Sequence, residues 1–260
     1  MIPWDVVVLA GAGLLAGMVN AMAGGGTLIS FPILLGLGMP AVVANVTSAV
    51  GLSSGYLGAA IEYRRELNGQ GARMWALVPF ALVGGLLGAI VLLLAPAAIF
   101  RAAAPYLVLS SCALMAAQPI LSRLVKKRAV AREKERPTTT IPHTTISVRV
   151  GVLLAGIYGA YFGAGLGILL LAVLGILIDD SLQRLNGLKA ALSLAVNFVS
   201  VTLFILSGHV SWVAAGTIFA AAAIGGIVGA RVARVLSPAV LRTSVIIFGL
   251  VVAVVLLVRG

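Results

Sequence analysis

Two glycine clusters carry the chemistry this sequence offers. The first closes Ala16-Gly17-Met18-Val19-Asn20-Ala21-Met22-Ala23-Gly24-Gly25-Gly26-Thr27. The second closes Ala155-Gly156-Ile157-Tyr158-Gly159-Ala160-Tyr161-Phe162-Gly163-Ala164-Gly165-Leu166-Gly167. Gly17 and Gly156, Gly24 and Gly163, and Gly26 and Gly165 are each 139 residues apart, so one motif occurs twice. Glycine is costly inside a helix and adopts backbone angles that other residues avoid. Each cluster therefore predicts a helix break in the middle of an apolar stretch. At membrane depth lipid satisfies no amide or carbonyl, so the freed groups must face protein, water or a ligand. A helix starting at such a break presents unpaired N–H groups and about half a positive charge. Two such ends, near Thr27 and Gly165, converge on a site for a small anion that needs no buried cation.

The candidate substrate-binding residues follow from that geometry. Gly24, Gly25, Gly26 and Thr27 supply one amide end, and Gly163, Ala164 and Gly165 the other. Asn20, Asn45, Thr47, Ser48, Asn186 and Asn197 are polar groups in apolar segments. Each either lines the same cavity or makes a helix–helix hydrogen bond. Tyr158 and Tyr161 flank the second break, placed to donate to an anion or to pack. Lys189, in Leu185-Asn186-Gly187-Leu188-Lys189-Ala190-Ala191, opens a hydrophobic helix. An intramembrane lysine is expensive and marks a substrate path by default. Snorkelling to the interface is the plainer alternative.

The elements that must hold these groups are membrane helices. The 260 residues are 61% hydrophobic and only 10% charged, with a mean hydropathy of +1.16. Soluble domains carry about 25% charged residues, so the composition predicts an all-α polytopic membrane protein. Residues 5–37 exceed the roughly 20 that one upright crossing needs and fall short of two crossings. They read as two short arms meeting at the glycines. Helices are expected over 41–62, 74–94 and 98–121, with Pro105 as a kink. The plan then recurs: a broken segment over 148–178, then helices over 185–207, 212–232 and 239–258. Gly84-Gly85-Leu86-Leu87-Gly88-Ala89 matches Gly225-Gly226-Ile227-Val228-Gly229-Ala230, a small-residue spacing that favours close helix packing. Residues 1–121 and 148–260 thus form N- and C-terminal transmembrane repeats around a basic linker, 122–147.

The linker holds Arg123, Lys126, Lys127, Arg128, Arg132, Lys134 and Arg136. Positive charge marks the cytoplasmic side, which explains this run without nucleic acid. Arg64, Arg65 and Arg73 fall on the same side. Arg231, Arg234 and Arg242 lie where the other half has almost no charge, so the halves read as oppositely oriented, with five segments each. A parallel four-crossing arrangement is the alternative.

Other chemistries find little support. Both histidines stand alone, and the single Cys112 lies in an apolar helix, so no metal ligand set and no internal disulfide is expected. A Walker motif is absent, and no cofactor is implied. Gly51-Leu52-Ser53-Ser54-Gly55 fits G-x-S-x-G, which works only at a strand–turn–helix, and His209 is its one plausible base. An intramembrane serine hydrolase is therefore one alternative function, and a non-transporting scaffold whose glycines serve packing is another. The start, Met1-Ile2-Pro3-Trp4-Asp5, lacks the basic region of a signal peptide, so the first segment is expected to stay.

At these residues the chain resembles the TauE/SafE family, the sulfite-exporter-like transporters. The matching features are Gly17, Asn20 and Ala23-Gly24-Gly25-Gly26 with Pro32 downstream, then Gly156, Gly159 and Phe162-Gly163-Ala164-Gly165-Leu166-Gly167. Asn186-Gly187-Leu188-Lys189, Gly208-His209-Val210-Ser211-Trp212 and the two GGxxGA helices also fit. Thr27 and Leu166 stand where the family commonly has a further glycine. The resemblance implies a bacterial inner-membrane carrier of a small anionic substrate such as sulfite, a sulfonate like sulfoacetate, or a related organosulfur or carboxylate anion. Inverted repeats with discontinuous helices near the midplane suit alternating access. Membrane lipid is the expected surround; oligomeric state is not legible.

Overall fold

The computed structural model describes residues 3–133, 145–232 and 238–259, and they are all-helical apart from turns. Among these described residues eleven α-helices follow one another: α1 (Pro3–Ala23), α2 (Thr27–Gly36), α3 (Ala41–Gly51), α4 (Ser53–Glu62), α5 (Gly71–Leu94), α6 (Ala97–Glu133), α7 (Ile146–Tyr161), α8 (Leu166–Leu177), α9 (Leu182–Leu206), α10 (Trp212–Val232) and α11 (Pro238–Arg259). A 3-10 turn, Tyr63–Arg65, precedes α5. Among the described residues four helices are long and apolar enough to cross a membrane by length and composition: Gly71–Leu94, Ala97–Val125, Leu182–Leu206 and Ala239–Val258.

Both broken segments form as the glycines require. α1 stops at Ala23, where Gly24 turns to φ +75 and sends its N–H back to the carbonyls of Val19 and Asn20. This left-handed ending closes a helix at little cost when the residue is glycine. α7 stops at Tyr161, and Gly163 and Gly165 take φ +83 and +93 before α8 begins. The α7–α8 pair folds back on itself. Gly159 faces Leu166 near the break, and Gly151 faces Val173 at the far end, which is antiparallel register. At ~1.5 Å per residue α2 and α8 are ~15 and ~18 Å long, about half of a ~30 Å hydrocarbon core. Neither is long enough to cross that core alone.

Two expected helices differ in extent. The segment 41–62 is two helices, because at Leu52 ψ falls to −1 and Ser53 Oγ donates to the Val50 carbonyl. Serine hydroxyls compete for backbone acceptors in this way and unwind a turn. The helix expected over 98–121 runs through Pro105 to Glu133. At ~55 Å it outreaches the apolar layer, so exposed Arg123 and Lys127 lie beyond it. Lys134 and Arg136 of the linker, and Arg234, fall outside the described residues.

The halves interlock rather than sit side by side. α1 makes its most extensive contact with α10, and α7 makes its own with α5. α5 lies on α9 as α10 lies on α3 and α4, and α6 lies on α11. Exchange of the two halves leaves this pattern unchanged. The predicted small-residue helices provide the close approach. A Cβ at Gly84 would sit 2.5 Å from the Leu153 carbonyl oxygen, and one at Gly225 would press into the carbonyl of Leu14. Contact register is parallel in both pairs: Gly84 meets Leu153 and Gly88 meets Ile157, while Gly13 meets Ile218 and Gly17 meets Ala222.

Candidate functional site

A small cavity lies where the two breaks meet. Thr27, Asn45, Ala49, Leu52 and Tyr56 line it from the first half, and Gly159, Phe162, Gly163, Leu166, Asn197, Ser200 and Phe204 from the second. It has room for about one water molecule. That is less than any oxyanion occupies.

Four of the elements are paired by the internal repeat. Thr27 and Leu166 are the first residues of α2 and α8, and their positions differ by the same 139 residues as the glycines. The carbonyls of Gly25, Gly26 and Gly165 take the N–H groups of Leu28, Ile29, Ser30, Ile168 and Leu169, whereas among the described residues the amides of Thr27 and Leu166 have no backbone acceptor outside their helices. The first residues of two helices thus line one space, and a helix start carries a partial positive charge. Asn45 and Asn197 are the second pair. Both belong to an Asn-x-x-Ser sequence, Asn45 to Ser48 and Asn197 to Ser200, at an offset of 152 residues. That duplication on α3 and α9 was present in the sequence. It lies out of step with the glycine offset, so a single period does not contain it.

The polar lining is neutral. Thr27 is 5% exposed, Asn45 2% and Asn197 7%. Asn45 Nδ2 donates to the Tyr161 carbonyl, 2.9 Å away at the end of α7, and its Oδ1 is buried without a partner among the described residues. Ser200 Oγ is turned to the carbonyls of Val196 and Asn197. Tyr56, Ser200, Phe162 and Phe204 were not foreseen as lining residues; a tyrosine or phenylalanine in an apolar helix gives no sign of which way it faces.

The remaining expected residues have other neighbours. Ser48 shares a 2.6 Å hydrogen bond with Ser30, and Thr47 Oγ1 accepts from the Ser211 amide at 3.1 Å; both join elements. Asn20 packs against Gly55 and Gly26. Tyr158 shares hydrogen bonds with Ser111 at 2.8 Å and Ser110 at 3.2 Å. Ser111 also donates to the Ala164 carbonyl, so this group fixes the second break from outside the cavity. Gly24 and Gly25 shape the first turn, and a Cβ on Gly25 would strike Met115. Lys189 Nζ donates to Asn186 Oδ1 at 2.9 Å, and its stem lies against Gly167, at the head of α8. It is eight residues, ~12 Å, from Asn197 along α9, and neither it nor Asn186 lines the cavity.

Ser53 and Ser54 of the G-x-S-x-G sequence spend their hydroxyls on the carbonyls of Val50 and Phe219. Cys112 is buried, against Gly249 and the Ile246 carbonyl.

Aromatic packing holds the two breaks together. Phe31 of α2 meets Phe162 edge to face at 5.3 Å, and Phe100 at 6.2 Å. On one face an ionic cluster ties the halves. Arg73 of α5 pairs with Asp180, in the turn before α9, and Arg184 Nε reaches the same carboxylate oxygen at 3.0 Å. Gln70 Nε2 donates to the carbonyls of Glu66 and Arg184, and Arg184 Nη1 to that of Asn68.

Paired, glycine-broken helical hairpins around a buried polar hollow define a multi-pass membrane transporter. The chain belongs to the TauE/SafE sulfite exporter family, whose pattern it matches over residues 9–256. It is similar to a "Probable membrane transporter protein" of Haemophilus influenzae, 25% identical over 235 residues, covering 90% of this chain and 88% of that one. It is also similar to the "Probable membrane transporter protein YfcA" of Escherichia coli, 23% identical over 244 residues, 94% and 86% of the two chains. Resemblance in sequence and family agree, and both place the protein in the cell membrane.

Proposed function

We propose that this transporter carries a small organosulfur or carboxylate anion, of the sulfite or sulfonate type, across the bacterial inner membrane as a secondary carrier or facilitator. The anion binds between the heads of α2 and α8. The observation that carries this reading is the meeting of two helix starts, at Thr27 and Leu166, with two buried asparagines on one cavity. Such donors stabilise negative charge without the desolvation cost of a buried lysine. Lys189 belongs to the route toward the site, beside the start of α8.

Alternating access follows from the repeat. The parallel contacts of α1 with α10 and α5 with α7 support an inverted arrangement. With successive helices alternating in direction and α7 returning through α8, α7 then runs opposite to α1. The same layout puts the Arg73–Asp180 cluster on the linker side, where positive charge predicts the cytoplasm. It closes that side in the present state, and rocking of one half against the other opens it.

The test is a thermal-shift screen of the purified protein against sulfite, thiosulfate, small sulfonates and small carboxylates. A saturable rise in melting temperature with at least one anion, weakened in Lys189→Ala, is expected. No response to any of them contradicts the anion reading and favours a scaffold. Labelling of Ser53 or Ser54 by a serine-reactive probe favours the hydrolase instead.

A further inference from the structure

We propose that Asn45 makes the cavity select an anion that also carries a hydrogen-bond donor: a singly protonated oxyanion, or a small sulfonate or carboxylate bearing a hydroxyl. The inference deepens the anion-site reading and rests on it. Its ground is the orientation of one amide. Asn45 lines the cavity and is 2% exposed. The Tyr161 carbonyl can only accept, so the group 2.9 Å from it must be the Asn45 NH2. Oδ1 then has no partner among the described residues.

An acceptor buried and unpaired is costly, and native structures seldom leave one without a reason. Thr27 and Tyr56 line the same cavity, but neither hydroxyl bonds to Asn45. A bare oxyanion brings only lone pairs to Oδ1 and is repelled. An anion with one O–H donates to Oδ1 while its charged oxygens take the amide ends of α2 and α8. Asn197, the corresponding side chain of the second half, is committed to no carbonyl among the described residues, so its NH2 remains available to those oxygens. The two asparagines thus take opposite parts: Asn45 accepts and Asn197 donates.

Two pairs of probes of equal charge and near-equal size separate the sources of such a donor. Hydrogencarbonate against nitrate tests a protonated oxyanion. Hydroxymethanesulfonate against ethanesulfonate tests a hydroxyl. Titration calorimetry on the purified full chain is expected to show the donor-bearing member of at least one pair binding about ten to a hundred times more tightly, the range set by an unpaired buried acceptor. Asn45→Ala should abolish that preference. If the variant does not fold, the wild-type pairs decide alone. Equal affinities within both pairs mean that water satisfies Oδ1, and they overturn the inference. So does silence from all four probes when the thermal-shift screen finds a donor-free anion that binds. If no anion binds in either experiment, the underlying anion reading falls as well.

Discussion

Asn45 and Tyr161 stand 116 residues apart in the chain, and their hydrogen bond joins α3 of one half to the broken end of α7 in the other. Helix ends leave carbonyls unpaired, and the nearly fully buried Asn45 supplies the partner of this one. Asn45→Ala removes the donor and strands the carbonyl, a cost of about 1–3 kcal/mol. A melting temperature several degrees below wild type in detergent is expected, and an unchanged one would show that the carbonyl finds another donor.

Glycine packing between the halves gives a sharper contrast. A Cβ at Gly225 would drive into the Leu14 carbonyl, whereas one at the neighbouring Gly226 meets nothing within 4 Å. Gly225→Ala should destabilise by about 1–3 kcal/mol through overpacking, and Gly226→Ala should not. Equal melting curves for the two variants would mean that α1 and α10 are farther apart than described.

The breaks themselves can be probed at Gly163. Its φ of +83 costs an L-residue about 1–2 kcal/mol, and an added Cβ lies 3.3 Å from Thr27 Oγ1, on the cavity wall. Gly208 has φ +72 and open space around it, in the turn before α10. Alanine at either position should lower stability alike. Only Gly163→Ala should weaken anion binding, by severalfold or more in the thermal-shift screen. A comparable loss of binding from Gly208→Ala would point to a general effect of strain.

Asp180 carries the pH dependence of the tie between halves. Burial alone would raise its carboxyl. Hydrogen bonds from Arg73, Arg184 and the Ser181 amide, with the charge of Arg73, outweigh that and hold it below the ordinary carboxylate range. A lowered native pKa gives stability that is full above the unfolded value, about 4, and lost as pH falls through the native one. Asp180→Asn should therefore melt below wild type from pH 5 to 8, with the gap closing under stronger acid. A gap that persists at the lowest pH would assign the loss to packing instead.

How much of this was written in the sequence depends on the kind of signal. The breaks were legible because consecutive glycines at mid-segment have one physical consequence. Gly84 and Gly225 were legible as packing positions for a similar reason. The interruption at Leu52 was not, since it depends on where Ser53 finds an acceptor and on Ile218 pressing against Gly51. Polar site residues divided the same way. Thr27, Asn45 and Asn197 reached the cavity, while Thr47, Ser48 and Tyr158 hydrogen-bond elsewhere. Sequence alone gives each a polar group in an apolar helix, and only the face it occupies decides between lining and joining. Lys189 was singled out by its charge; its place beside α8 required the fold.

The central claim is that the two broken hairpins build one anion site at mid-depth. Counter-flow uptake of the most stabilising anion into proteoliposomes tests it most directly, with wild type compared to Asn197→Ala. Asn197 lines the cavity and its side chain has no hydrogen bond to another element among the described residues, so its loss should spare the fold. The account predicts saturable uptake by wild type and at least tenfold weaker apparent affinity in the variant at a similar melting temperature. Identical uptake by the two proteins would contradict it.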